Sequence, residues 1–370
     1  MSTDPAGQTI HPFLTSLPRE EQFLQKAMSS FVRSRTAPVM VGAPEDLDWQ
    51  RLGRIIAANQ IGPLGDCLFS GRPLPSALLD QWKKLRLQTL FSNIHKLRVA
   101  VRLFSIFEQA GLRSVGLRGL TLAHTLYPDA GLRPMKDLDI LVDTHDHQQV
   151  VQIMRAQGHE PANLLRTQVV YVMDGVEIEL HLSLLTAKRY RDVMDSDVLL
   201  GSRSRVATRE GDVFRLPADH ELLELVTHAF VHHEMQGYAR VLDIALMMCD
   251  PGIHWDFVSA WCRDKGLTNM FLFTLSYADA LFGLELHPER HFSRILPARV
   301  RRRFASYSAF LFGGNSIRHF VRRKRNLFFI AETPATRFRE LLRLFSGTTC
   351  RELQLALGRK RPPGPAGLPL

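Results

Sequence analysis

The stretch "GLRPMKDLDILVD", residues 131–143, sets two aspartates against an apolar run. The apolar residues within 138–142 predict a buried strand. Side chains alternate across a strand, so Asp137 and Asp139 point to the same face. Like charges this close repel each other unless a cation lies between them. The stretch therefore predicts a strand that begins at a cation-binding site.

A second acidic strand is predicted downstream. "QVVYVM", Asp174-Gly175 and "VEIELHL" indicate a β-hairpin, because Asp-Gly supplies the positive φ angles of a two-residue turn. Glu177, Glu179 and His181 share the polar face of the second hairpin strand. Two strands of one sheet can thus bring two aspartates and a glutamate together. Mg²⁺ prefers such carboxylate oxygens, usually with substrate phosphates as further ligands, and two ions held this way would clamp a displacement at phosphorus.

The rest of the chain is predicted to be mostly helical. We expect an α+β, mostly α, protein in which a small mixed α/β core at 112–215 is flanked by helical regions at 17–111 and 216–358. Residues 1–16 are expected to be a flexible N-terminus, and the basic Pro/Gly-rich residues 359–370 a disordered tail. In 85–111, apolar residues recur every three or four positions, which predicts one long helix ending at Gly111. We expect this apolar stripe to pack into the core: Leu87, Leu90, Phe91, Ile94, Leu97, Val101 and Phe104.

Composition and the absence of certain motifs argue against several classes of protein. No apolar run reaches the roughly 18 residues of a membrane helix. The N-terminus lacks the regions of a signal peptide, so a cytoplasmic location is expected. No GxSxG elbow, Walker loop or GxGxxG fingerprint is present, which argues against serine hydrolases, P-loop NTPases and dinucleotide-dependent enzymes. Four widely spaced cysteines are expected to be reduced and mostly buried: Cys67, Cys249, Cys262 and Cys350.

The net charge of +10 comes entirely from the C-terminal quarter. Residues 290–370 hold 18 Lys/Arg and 3 Asp/Glu. The clusters within 299–325 and at 359–361 either bind RNA or another polyanion, or form solvated arginine faces on helices. The stretch lacks the aromatic and glycine patterning of RNA-binding modules, which favours the solvated surface.

The motif order resembles a known family. "GLRG" at 116–119, "YPDAGLRPMKDLDILVD" at 127–143 and "VEIELHLSL" at 176–184 are similar to the uncharacterised nucleotidyltransferase-like family of the polymerase-β superfamily. The resemblance covers about residues 45–250, including "DHELLELVTHAFVHH" and "RVLDIALMM". It implies Mg²⁺-dependent transfer of a nucleoside monophosphate from an NTP, with ATP as the expected donor, to an unidentified small-molecule or protein acceptor.

The resemblance also implies residue roles. Asp137 and Asp139 match the metal-binding pair, and Glu179 matches the third acidic position, with Glu177 as the alternative. Gly116 and Gly119 fall in the phosphate-side motif. Arg118 stands where the family commonly has Lys, and either binds phosphate bidentately or marks a nucleotide-binding protein that has lost the chemistry.

Arg133 and a group of histidines are further candidates. Arg133 precedes the aspartate pair and either contacts a triphosphate or pairs with Asp137 or Asp129. His181 either contacts the nucleotide or acceptor, or is a hydrogen-bonded, half-buried residue. The histidines are spaced HxxxHHE and not HExxH, so a metalloprotease site is absent and a zinc site is disfavoured. Asp243 on the next helix is a candidate to orient one of the histidines, which with their acidic neighbour are His228, His232, His233 and Glu234.

Overall fold

The structure, a computed structural model, describes residues 12–15, 17–34, 46–165, 167–184, 193–233, 235, 237–296 and 300. The arginine clusters at 301–303 and 322–325, the tail at 359–370, Glu234 and Cys350 lie outside these residues. The described part is mostly helical with a small mixed sheet, which confirms the predicted α+β class. None of its helices is both long and apolar enough to cross a membrane. Of its free cysteines, Cys262 is buried, whereas Cys67 and Cys249 are partly exposed.

Five helices precede the sheet. One of them, α2 (Arg19–Ser34), packs against α12 (Thr268–Phe282) near the other end of the described chain. The Gln25 side-chain amide donates to the Leu281 carbonyl at 2.7 Å, so the two helical regions are joined by a buried hydrogen bond as well as apolar contact. The five are α1 (Pro12–Thr15), α2 (Arg19–Ser34), α3 (Trp49–Ala58), α4 (Gly62–Phe69) and α5 (Ser76–Gln109).

The long helix α5 exists as predicted, but the first half of the predicted core stripe is partly wrong, because two of the seven stripe residues, both in that half, are exposed. Leu97 and Phe104 are buried, whereas Leu87 is 51% and Phe91 70% exposed. Asn93 takes a buried position in that half, and its amide donates to the carbonyls of Ala130 and Arg133 at 2.7 and 2.8 Å. The helix is therefore rotated so that a polar side chain holds the loop before the aspartate pair, and an apolar pattern alone does not reveal this.

A five-stranded sheet in the order β1-β2-β5-β4-β3 follows α5. β2 and β5 are parallel neighbours, whereas the other pairs are antiparallel. The predicted hairpin turn is confirmed, because Asp174 and Gly175 have φ of 52° and 77°. The sheet and its helices are β1 (Ser114–Gly116), α6 (Gly119–Thr125), β2 (Leu138–Val142), α7 (His147–Ala156), β3 (Asn163–Leu164), β4 (Gln168–Met173) and β5 (Val176–His181).

The remaining described elements follow the five-stranded sheet in the chain. A second hairpin, which the sequence did not predict, packs against β1 and α5. Helices α9, α10 and α12 then pack on one another, and α9 lies across from the polar edge of the sheet. These elements are α8 (Ser196–Ser202), β6 (Ser204–Thr208), β7 (Gly211–Arg215), α9 (Ala218–Val231), α10 (Tyr238–Met248), α11 (Trp255–Asp264), α12 (Thr268–Phe282) and α13 (Pro288–His291).

Candidate active site

The predicted carboxylates lie close together on, or next to, the neighbouring strands β2 and β5. Parallel pairing sets Asp139 directly opposite Glu179. Asp137, Glu177 and Glu179 offer ligand oxygens that all lie within 4.8 Å of one another, and Asp139, Glu179 and His181 form a second such group. Glu179 belongs to both groups. The register of β2 against β5 therefore brings together the carboxylates that the alternating pattern of each strand had placed on its polar face.

Among the described residues, the outer side of this cluster has only weak compensation: buried His181 Nε2 lies 3.7 Å from Glu179 Oε2, and buried Lys96 and Arg118 act on Asp137 without an ion pair. Burial and the neighbouring Asp139 raise the pKa of both Asp137 and Glu179. Lys136 Nζ lies 3.5 Å from Asp137 and 3.6 Å from Glu177, but its side chain is 81% exposed. We name Asp137, Glu177 and Glu179 the outer carboxylates. Their mutual repulsion is the kind that a divalent cation relieves.

Asp139 on the inner side is already compensated. His181 Nε2–H donates to Asp139 Oδ1 at 2.8 Å, and an Arg118 guanidinium nitrogen lies 3.4 Å from the same oxygen. Burial would raise the pKa of Asp139, but Arg118 and His181 lower it to about 2. Asp139 is therefore charged at neutral pH and firmly positioned. His181 is a buried, hydrogen-bonded residue that orients this carboxylate.

Arg118 enters the site from a strained backbone. It caps the N-terminus of α6 with φ of 50° and ψ of −114°, a region that residues with a side chain rarely adopt. Its Nε lies 3.2 Å from Glu224 Oε1, although the angle is not that of a hydrogen bond. Burial raises the pKa of Glu224 to about 7, and Arg118 offsets this only in part. Sequence reasoning missed Glu224; its signal was the last of three acids on an otherwise mostly apolar helix, four residues before His228.

Arg133 has a partner that the sequence did not predict. Its guanidinium donates to Asp243 Oδ2 at 2.8 Å, and the Tyr127 hydroxyl donates to the other oxygen at 2.8 Å. The predicted pairings of Arg133 with Asp137 or Asp129 were wrong, because Asp129 pairs with Arg86 at 2.7 Å. Asp243 thus orients an arginine, and its carboxylate fixes Arg133 at the cavity wall.

Three histidines of the α9 end form part of the opposite wall. His228 Nε2 accepts from Arg118 at 3.2 Å and lies 3.0 Å from His233 Nε2. Burial and Arg118 lower the pKa of His228 well below its usual value, and burial and Arg240 lower that of His233 to about 3. These two imidazoles are therefore neutral at pH 7. Within the described ranges, the groups with metal-ligand spacing contain His181 and the carboxylates but not these histidines.

Asp137, Asp139, Glu179 and the histidines line a common cavity of about 780 Å³, a volume typical of small-molecule sites. Arg118, Gly119 and Arg133 also line it. A Cβ at Gly119 would come within 2.8 Å of an Arg133 guanidinium nitrogen, so the absence of a side chain at Gly119 lets Arg133 lie close to this position. Gly116 instead packs beneath, where a Cβ would meet Leu120 at 2.9 Å. The sequence did not single out two other lining residues, Asn59 and Gln60 at the end of α3.

Comparisons with known proteins gave one family model and two similar solved structures. The family described as uncharacterised nucleotidyltransferase matches residues 45–283. The solution structure of the antibiotic-resistance factor ANT(2'')-Ia is similar with 12% identity and a TM-score of 0.31, over 55% of this chain and 98% of that one. An antigenic nucleotidyltransferase-like protein from Paracoccidioides brasiliensis is similar with 16% identity and a TM-score of 0.34, over 50% and 92%. No curated protein matches the chain.

Proposed function

Because the chain belongs to the uncharacterised nucleotidyltransferase family, we propose that it transfers a nucleoside monophosphate from an NTP, with ATP as the expected donor, to a small-molecule or protein acceptor. The observation that carries the proposal is the pairing of β2 with β5, which places Asp137, Asp139 and Glu179 together at the cavity. A catalyst of this reaction works mainly by positioning the phosphates and neutralising their charge. The cavity offers acidic and basic side chains for both tasks.

The donor set suits Mg²⁺. Asp137 and Glu179 would hold it, with Glu177 and the second oxygen of Asp139 beside them. Burial and the charge of Asp139 raise the pKa of Asp137 and Glu179, and a divalent cation beside them would offset both effects. When bound, Mg²⁺ supplies positive charge to the phosphate oxygens and orients them.

The chain's own cations would hold the triphosphate. Asp243 and Tyr127 fix Arg133, so its guanidinium meets a phosphate with little loss of side-chain freedom. Lys136 is exposed and its contacts exceed 3.4 Å, so it can leave the outer carboxylates for a phosphate when a metal takes its place. The neutral histidines, with Asn59 and Gln60, form a polar wall that can receive an acceptor by hydrogen bonds.

Label transfer tests this proposal. The full-length protein, Mg²⁺ and α-³²P-ATP would be incubated with a metabolite extract and, separately, with a protein extract. We expect label on one acceptor class with wild type and none with Asp137→Asn. An exposed substitution far from the cavity, Arg155→Gln, is the matched control and should transfer label normally. Transfer by Asp137→Asn at the wild-type rate would contradict the assignment.

A binding protein without chemistry is the second candidate. The observation that favours it is the contact of Arg118 with Asp139, which engages a residue expected to bind metal. Calorimetry separates the candidates: a binding protein takes up ATP but releases no pyrophosphate with either extract. The remaining alternative, RNA binding through 299–325 and 359–361, concerns residues that are mostly outside the described part. It stays a prediction, tested by whether RNA affinity falls steeply with salt.

A further inference from the structure

Arg118 is held in the site by an arrangement that costs free energy. A residue with a side chain rarely adopts this backbone region, and such strain tends to persist at functional positions. Its side chain is only 11% exposed. A buried guanidinium is tolerated only beside negative charge, which Asp139 supplies at 3.4 Å and Glu224, when ionised, at 3.2 Å. The cation is therefore built into the inner side of the site.

The contacts of Arg118 limit what Asp139 can offer. An aspartate that bridges two metal ions gives one oxygen to each of them. In Asp139, the hydrogen bond from His181 and the ion pair with Arg118 both involve Oδ1. That leaves Oδ2 for a metal. The neutral His228 accepts from Arg118 Nη1, the same nitrogen that lies 3.4 Å from Asp139 Oδ1, so His228 helps to hold this nitrogen beside Asp139.

We infer that Arg118 is a fixed cation that takes the place of one of two divalent ions, so that the centre binds a single divalent ion at the outer carboxylates. The inference rests on the proposed function, because it concerns the same metal centre. In this arrangement, the Arg118 side chain supplies the positive charge next to Asp139, and a bound ion supplies the positive charge next to the outer carboxylates. Arg118 is then a positioning residue for Asp139 and not a phosphate ligand.

Manganese titration of the full-length protein tests the inference, with Mn²⁺ alone as the probe. Bound ions are counted by equilibrium dialysis, and electron paramagnetic resonance distinguishes an isolated ion from a spin-coupled pair. We expect one Mn²⁺ per wild-type chain, with the spectrum of an isolated ion. Two ions per chain, or a spin-coupled pair, would overturn the inference and leave the proposed metal centre intact. No bound ion would overturn both.

Arg118→Met is the decisive variant, because it removes the charge and keeps much of the volume. We expect this variant to bind a second Mn²⁺ between Asp139 and Glu224, whereas Arg118→Lys should still bind one. Arg133→Met is the matched control: it also removes a buried arginine of this cavity, but one paired with Asp243, and should leave the count at one. An unchanged count in folded Arg118→Met would contradict the inference. If that variant does not fold, the wild-type count still decides.

Discussion

The two sides of the carboxylate cluster differ in how their charge is balanced. On the inner side, Asp139 has a buried arginine and a histidine on one oxygen, and its pKa is lowered to about 2. On the outer side, burial and like charge raise the pKa of Asp137 and Glu179, and the nearby Lys136 is 81% exposed. Under the proposed function, the inner side would hold the site in place, whereas the outer side would receive a cation.

The largest effect is expected from removing an outer carboxylate. Asp137→Asn and Glu179→Gln should each lower nucleotidyl transfer by about a thousandfold or more, because the phosphate charge loses its main compensation. The free energy of unfolding should stay the same or rise slightly, because a repelling charge has gone. Transfer assays and urea unfolding on the same preparations measure both. A large loss of stability in either variant would mean that the outer side, too, is structural.

The inner cation should matter for the fold. Arg118→Met leaves Asp139 and Glu224 without their buried partner, and the free energy of unfolding should fall by about 3–5 kcal/mol. Lys136→Met removes the exposed cation of the outer side and should cost no more than about 0.5 kcal/mol. Urea unfolding gives both values. If both variants lost the same free energy of unfolding, the two sides would not differ in how much they stabilise the fold.

Glu224 should make the inner side sensitive to pH. Its folded pKa of about 7 lies above the usual 4.5, so its contribution to stability is complete below pH 4.5 and is lost as pH rises through 7. Between pH 5 and pH 8 the wild-type free energy of unfolding should fall by up to about 3 kcal/mol more than that of Glu224→Gln. Unfolding curves at both pH values test this. Parallel pH profiles would show that Glu224 stays charged in the folded protein.

Mg²⁺ should stabilise the folded protein through the outer side. At a concentration one hundred times the Kd, binding adds about 2.7 kcal/mol to the free energy of unfolding. Glu179→Gln should abolish this gain, whereas Glu224→Gln should keep it. Thermal unfolding with and without Mg²⁺ distinguishes the variants. If Glu224→Gln were the only variant to lose the stabilisation by Mg²⁺, the ion would bind on the inner side instead.

Local patterns were sufficient to predict the carboxylate edge. Alternation in "DLDILVD" and "VEIELHL" and the Asp-Gly turn led to β2, β4 and β5, because these features depend on neighbouring residues only. The sequence showed that Asp139 and Glu179 could meet, but the register that sets them opposite each other required the sheet.

The partners of the buried arginines could not be predicted. Arg118 meets Glu224 across 106 positions and Arg133 meets Asp243 across 110, as the numbering shows. Such pairs depend on how α9 and α10 pack against the sheet, which no local pattern records. For the same reason the exposed Phe91 was mistaken for a core residue: the rotation of α5 is set by the hydrogen bonds of Asn93 to a distant loop.

The position of a bound ion tests the account most directly. Crystals of the full chain soaked in Mn²⁺ and a non-transferable ATP analogue would give an anomalous difference map in which manganese is identified by its own scattering. We predict one peak, in contact with carboxylate oxygens of Asp137 and Glu179 and with the phosphates of the analogue. A peak between Asp139 and Glu224, or no peak beside the outer carboxylates, would contradict it.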